Sequence, residues 1–72
     1  MTFTNYLQCL RRMDSLISLK STGCPSCFAG KLGISEATLY RYINYLKNLG
    51  APIQYVKDRE SYIYEFPFEL NL

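Results

Sequence analysis

The chain has 72 residues, 49% of them hydrophobic and 19% charged, with a formal net charge of +2. Such a chain is too apolar to be disordered and too short for a two-domain enzyme, and it has no run of roughly 18 apolar residues that would span a membrane. Histidine is absent, which removes the commonest general base and the commonest metal ligand together.

The opening Met1-Thr2-Phe3-Thr4-Asn5 has no basic stretch leading into an apolar one, so no signal peptide is expected. Tyr6, Leu7, Leu10, Met13, Leu16, Ile17 and Leu19 recur in steps of three and four, which predicts an amphipathic helix over 4–20. Ser21-Thr22-Gly23 should end it, Gly23 being suited to the left-handed conformation past a helix C-terminus. Pro25 then fits a first helical turn, and Phe28, Ala29 and Leu32 form the apolar stripe of a short helix over 25–32.

Cys24 and Cys27 stand at C-x-x-C spacing where that helix begins. With Cys9 they make an odd count in a chain without an export signal, which fits a reducing cytoplasm better than a disulfide framework. Zinc wants four ligands, and one chain with three cysteines and no histidine cannot supply them. A redox dithiol is chemically possible at a helix start, but the βαβ surroundings of a thioredoxin-like motif are missing. The expectation is therefore a capping residue and a packing residue, with no metal and no cofactor.

Ser35 is a strong N-cap candidate for a third helix over 36–49, whose apolar stripe is Leu39, Ile43, Leu46 and Leu49. Gly50 stops it. Two helices separated by a few residues around a glycine outline a helix-turn-helix. Beyond Gly50 the period drops to two: residues 51–56 read as a strand, 57–61 as a polar turn and 62–66 as a returning strand. The expected fold is a single α+β domain over 1–72, a winged helix-turn-helix: three helices, a β-hairpin wing over 52–66 and an extended tail over 67–72.

At 100° per residue, Leu39, Tyr42, Ile43, Leu46 and Leu49 fall on one side of the third helix. The opposite arc holds Ala37, Arg41, Asn44 and Asn48, with Tyr40 and Tyr45 on its shoulders. These residue types read base edges: Arg bonds guanine bidentately, Asn bonds adenine, and a small Ala admits close approach. Charge is uneven along the chain. Residues 1–57 hold seven basic against two acidic side chains, a net of +5, and residues 58–72 hold one against four, a net of −3. A basic body suits a polyanion partner.

The run from Gly23 to Ile43 resembles the DNA-binding module of DeoR-like and WYL-type bacterial transcription regulators. The resemblance lies in Gly33-Ile34-Ser35, then Thr38, Tyr40, Arg41 and Ile43, then Leu46 and Gly50-Ala51-Pro52-Ile53 where the wing opens, and it covers about residues 7–66. Cys24 stands where the family usually has a Thr cap, Ala37 at a position often basic, and Arg59-Glu60-Ser61-Tyr62 where many members have Gly-Gly-Tyr. The resemblance implies a DNA-binding transcription regulator with the third helix in the major groove of double-stranded DNA; with no His, no paired catalytic carboxylates, no phosphate loop and no metal constellation, an enzyme is not expected. Arg41 would read a base with Ala37, Tyr40, Asn44 and Tyr45 around it, and Lys31, Ser35, Thr38, Lys57 and Arg59 would meet phosphates. No small-molecule effector domain is expected in this chain. The alternative is a winged helix that binds protein without intrinsic DNA specificity.

Tyr62, Tyr64, Phe66, Phe68, Leu70 and Leu72 alternate at the end of the sequence. Six apolar side chains on one face of an extended strand are more than so small a monomer can cover, which predicts a homodimer through Phe66, Phe68, Leu70 and Leu72. The competing expectation is that the tail folds back over the first helix.

Overall fold

Three helices precede a two-stranded antiparallel hairpin in the computed structural model, which describes residues 3–71. They are α1 (Phe3–Ser18), α2 (Pro25–Leu32) and α3 (Glu36–Asn48), followed by β1 (Ile53–Val56) and β2 (Ser61–Tyr64) with one 3₁₀ turn (Lys57–Arg59) between the strands. The α+β order is the one expected from the sequence; several element ends differ.

α1 forms because Leu10, Met13 and Ile17 line one face, all fully buried, while Arg11, Arg12, Ser15 and Ser18 face solvent. It stops two residues early, and Gly23 does not stop it. Lys20 takes the left-handed conformation (φ 57°), its N–H bonded to the Ile17 carbonyl and the Ser21 N–H to that of Leu16. This is a Schellman closure built on a lysine, a conformation costing roughly 1–2 kcal/mol for a residue with a Cβ. Gly23 serves another purpose: a Cβ there would stand 2.9 Å from the Cys27 Cβ.

α2 has the expected bounds. The Cys24 sulfur accepts the Cys27 N–H as its N-cap, Pro25 occupies the first turn, and Gly33 (φ 71°) closes the C-terminus. Phe28 and Ala29 are its buried residues. Cys27 is exposed and does not pack: it precedes the buried Phe28 by one residue, roughly 100° around the helix from the side that faces the core. α3 buries Leu39, Ile43 and Leu46 and ends at Asn48. Leu49 is its C-cap, not a member of the stripe, and stands 46% exposed as Gly50 (φ 100°) turns the chain toward β1.

In the hairpin Ile53 pairs with Tyr64 and Val56 with Ser61. Ser61 belongs to β2 and is buried; the turn is complete one residue earlier, with Glu60 in the left-handed conformation (φ 48°). One core joins all elements, with Phe28 of α2, Ile43 of α3, Ile53 of β1 and Tyr62 of β2 in the same cluster as the α1 residues. Tyr62 meets the rings of Phe28 and Tyr55 at centroid distances of 5.7 and 4.9 Å, which seats the hairpin against α2.

The tail departs from the expected extended strand. β2 ends at Tyr64, residues 65 and 66 bend, and Phe68 and Leu70 pack against the core. The Tyr64 hydroxyl donates to Asp14 Oδ1 on α1 at 2.7 Å, and the Tyr64 and Phe68 rings meet at 5.3 Å. Of the described residues expected at a dimer interface, only Phe66 is exposed, at 60%; Leu72 lies outside the described residues. Tyr64 thus meets a carboxylate on α1, and Phe68 and Leu70 lie half-buried against the core.

Candidate nucleic-acid interface

α3 packs on α2, and three residues, Gly33-Ile34-Ser35, join them. Ser35 (ψ 160°) accepts the Thr38 N–H on its Oγ at 3.2 Å, satisfying an orphan donor of the first turn. Its own proton goes to Thr38 Oγ1 at 3.0 Å, which leaves the Thr38 hydroxyl proton for an outside acceptor. Ser35 is thus occupied by the helix start, and Thr38, half-buried, is the better placed of the two to meet a phosphate.

The outward face of α3 is as the helical periodicity predicts. Ala37, Arg41, Asn44 and Asn48 are exposed, as is Tyr40 at 47%. The two tyrosines on the shoulders differ. Tyr45 lies edge-on to Tyr6 of α1, ring centroids 5.9 Å apart, so part of its surface is committed within the chain. Tyr6 also meets Tyr42 at 5.0 Å, and these phenols, with burial foremost, push the Tyr6 hydroxyl pKa up. Tyr40 lies within electrostatic reach of Tyr62 on the hairpin: burial first, and then Tyr40, Tyr55 and Glu36, push the Tyr62 pKa up. α3 therefore carries a row of Ala37, Arg41 and Asn44 between the aromatic cluster at α1 and the hairpin.

The expected phosphate contacts separate into two groups. Lys57 and Arg59 sit exposed in the 3₁₀ turn at the hairpin tip. Lys31 is exposed but donates from Nζ to the Ser21 carbonyl at 2.9 Å, tying α2 to the chain that leaves α1. Sequence periodicity could not show this, since the two residues lie ten apart on different elements. Glu36 occupies the first turn of α3, where a carboxylate suits the helix dipole and repels a polyanion.

Sequence reasoning also missed a buried polar pair behind the hairpin. The Thr22 N–H donates to Ser61 Oγ at 3.1 Å, and the Tyr62 N–H donates to Thr22 Oγ1 at 2.9 Å. Both residues are essentially inaccessible. Period-two alternation could not show this, since it puts Ser61 on the face opposite Tyr62, yet both residues are buried.

Among the described residues, no group of three or more His, Cys, Asp or Glu side chains could hold a metal ion, and no helix is long and apolar enough to cross a membrane. An open groove of about 490 Å³ runs between the end of α1 and the tail, lined by Ile17, Lys20, Tyr64 and Phe68 among others. It lies away from the α3 row, and Lys20 and Glu65 are the charged side chains in its lining.

Fold and site together define a small α+β domain of three helices and a hairpin with a polar, arginine-centred helix face at its surface. No protein-family model, curated protein or solved structure matches the chain.

Proposed function

We propose that the chain is a winged helix-turn-helix DNA-binding protein that regulates transcription, with α3 in the major groove and the hairpin over an adjacent phosphate strand. The observation that carries this reading is the exposed row of Ala37, Arg41 and Asn44 on a helix otherwise anchored by Leu39, Ile43 and Leu46. An ordinary solvated helix face of this length carries Glu–Lys pairs; this one carries an amide, a guanidinium and a methyl, the groups that meet base edges. Arg41 reads a base, Tyr40 and Asn44 flank it, and Thr38, Lys57 and Arg59 position the backbone. Ser35 and Lys31 act indirectly, through the α3 cap and the α1–α2 link.

The second reading, a protein-binding winged helix, draws on Glu36 at the groove-facing end of α3 and on exposed Leu19 (72%) and Phe66. Fluorescence anisotropy of a random labelled duplex, titrated at two salt concentrations, separates the two. DNA binding gives a saturable rise that weakens steeply with salt. No rise even at ~50 mM salt supports the protein-binding reading.

A further inference from the structure

The three thiols occupy unlike surroundings. Cys9 is half-buried on α1, and burial pushes its thiol pKa up. Cys24 and Cys27 lie together at the start of α2, their sulfurs 2.7 Å apart, Cys27 exposed and Cys24 partly so. The spacing alone does not bring two sulfurs together; the local backbone does. Cys24 is extended (ψ 167°) as the N-cap, the helix begins at Pro25, and the first turn returns Cys27 over Cys24. Gly23 clears the way, since any side chain at that position would collide with the Cys27 Cβ.

We propose that Cys24 and Cys27 are a redox dithiol that exchanges with small disulfides such as oxidised glutathione, Cys24 attacking and Cys27 resolving. The Cys24 thiolate attacks one sulfur of the disulfide, forming a mixed disulfide and releasing one thiolate, which takes a proton from solvent. Cys27 loses its proton to solvent and attacks the Cys24 sulfur, expelling the second thiolate, which is protonated in turn. The two cysteines give up two electrons and two protons, and the small disulfide becomes two thiols.

The surroundings assign the two roles. The Cys27 contact, the Ser26 hydroxyl at 3.2 Å and the Cys27 N–H at 3.3 Å stabilise a thiolate on Cys24 and bring its pKa down to about 7. The same contact pushes Cys27 up, with the Lys31 ammonium opposing. An attacking thiol works best with a pKa near the ambient pH, while one held higher stays protonated until the mixed disulfide has formed. Tyr55 of β1 lies within electrostatic reach of both sulfurs, so the pair faces solvent beside the hairpin. This inference is independent of DNA binding.

The test is to incubate the full chain in glutathione buffers of graded redox ratio, quench with an alkylating agent and map the thiols by mass spectrometry. A single Cys24–Cys27 disulfide that forms and reverses with the ratio, leaving Cys9 alkylated, is the expected result. In Cys27→Ser the reaction should stop at glutathione on Cys24, and in the reduced unaltered chain Cys24 should alkylate about tenfold faster than Cys9 near neutral pH. Equal reactivity of Cys24 and Cys9 in the reduced unaltered chain overturns the proposal. So does an unaltered chain that stays reduced in oxidised glutathione, or one purified with one zinc ion shared between two chains.

Discussion

Thr22 and Ser61, separated by 39 positions, hold the link between α1 and α2 to the inner face of β2 by two reciprocal bonds. Each residue gives its hydroxyl oxygen to a backbone N–H on the other side. The hydroxyl protons have carbonyl acceptors close by, Gly23 for Thr22 and Tyr62 for Ser61, so the buried pair is satisfied throughout. The clasp does the work of a third strand with side chains in place of a ladder. It fixes the hairpin relative to α2, and through α2 relative to α3.

Ser61→Ala leaves the Thr22 N–H buried without an acceptor, and urea unfolding should show a loss of about 1–3 kcal/mol. Thr22→Val strands the Tyr62 N–H and should cost a similar amount, about 1–3 kcal/mol. Thr22→Ser keeps both bonds and should lose under about 1 kcal/mol for its missing methyl. Equal losses for Thr22→Ser and Thr22→Val would show that the hydroxyl is not what matters.

Arg41→Ala should cost about 1–3 kcal/mol in DNA affinity and relax preference at one base pair. Lys57→Ala should weaken binding to all duplexes alike and flatten the salt slope by roughly one unit. Lys31→Ala should leave that slope unchanged, because its ammonium is bonded to Ser21, and should register in thermal unfolding instead. A salt slope that responds to Lys31 and ignores Lys57 would reverse this assignment.

Alkaline pH should loosen the junction of tail and α1. Burial foremost, then the hydrogen bond to Asp14 and its charge, raise the Tyr64 pKa well above the ordinary tyrosine value of 10.0. The folded state therefore holds this proton more tightly than the unfolded chain. Stability from it is complete below pH 10.0 and is lost as pH rises from there through the raised folded value. Denaturation curves collected from neutral to strongly alkaline pH should show this decline, and Tyr64→Phe should be less stable at neutral pH with a shallower alkaline slope. An unchanged slope in that variant would exclude Tyr64 as the titrating group.

Gly30 within α2 and Gly33 at its C-cap should respond in opposite directions to alanine. Nothing lies within 4 Å of a Cβ placed at Gly30, which is helical, so Gly30→Ala should stabilise by about 1 kcal/mol. Gly33 is equally open in space but sits at φ +71°, so Gly33→Ala should destabilise by roughly 1 kcal/mol or more. Differential scanning calorimetry of the pair checks both signs.

Phe68 and Phe66 differ only in what the tail does with them. Phe68→Ala should cost on the order of 2 kcal/mol, less than a fully buried ring, as it loses core contact and the Tyr64 ring. Phe66→Ser should change stability by no more than about 0.5 kcal/mol. Sedimentation velocity on both variants and the parent chain tests pairing at the same time. A parent dimer that Phe66→Ser dissolves would restore an interface at this exposed ring.

Most of the architecture is written locally. Helical period, the Ser35 cap, Gly33 and Gly50 past helix ends, and the change to period two after Gly50 all act within a few residues, so α2, α3 and the hairpin could be placed from the chain alone. The exposed row on α3 follows from the same arithmetic, because Leu39, Ile43 and Leu46 fix which side faces in. Tertiary structure decided what no local pattern encodes. Lys20 rather than Gly23 closes α1, since the left-handed residue is chosen by where the chain must go next. Ser61 turns inward because Thr22 arrives from the other end of the chain. The tail's alternation breaks because Asp14, 50 positions away, offers Tyr64 a partner. Two sulfurs three residues apart meet because an extended cap, a helical turn and a bare glycine coincide, which is local geometry that the spacing alone does not show. The Ser61 and Tyr64 contacts depend on groups brought together only once the core has closed, when a hydrogen bond between distant residues outweighs the preference of the segment that carries it.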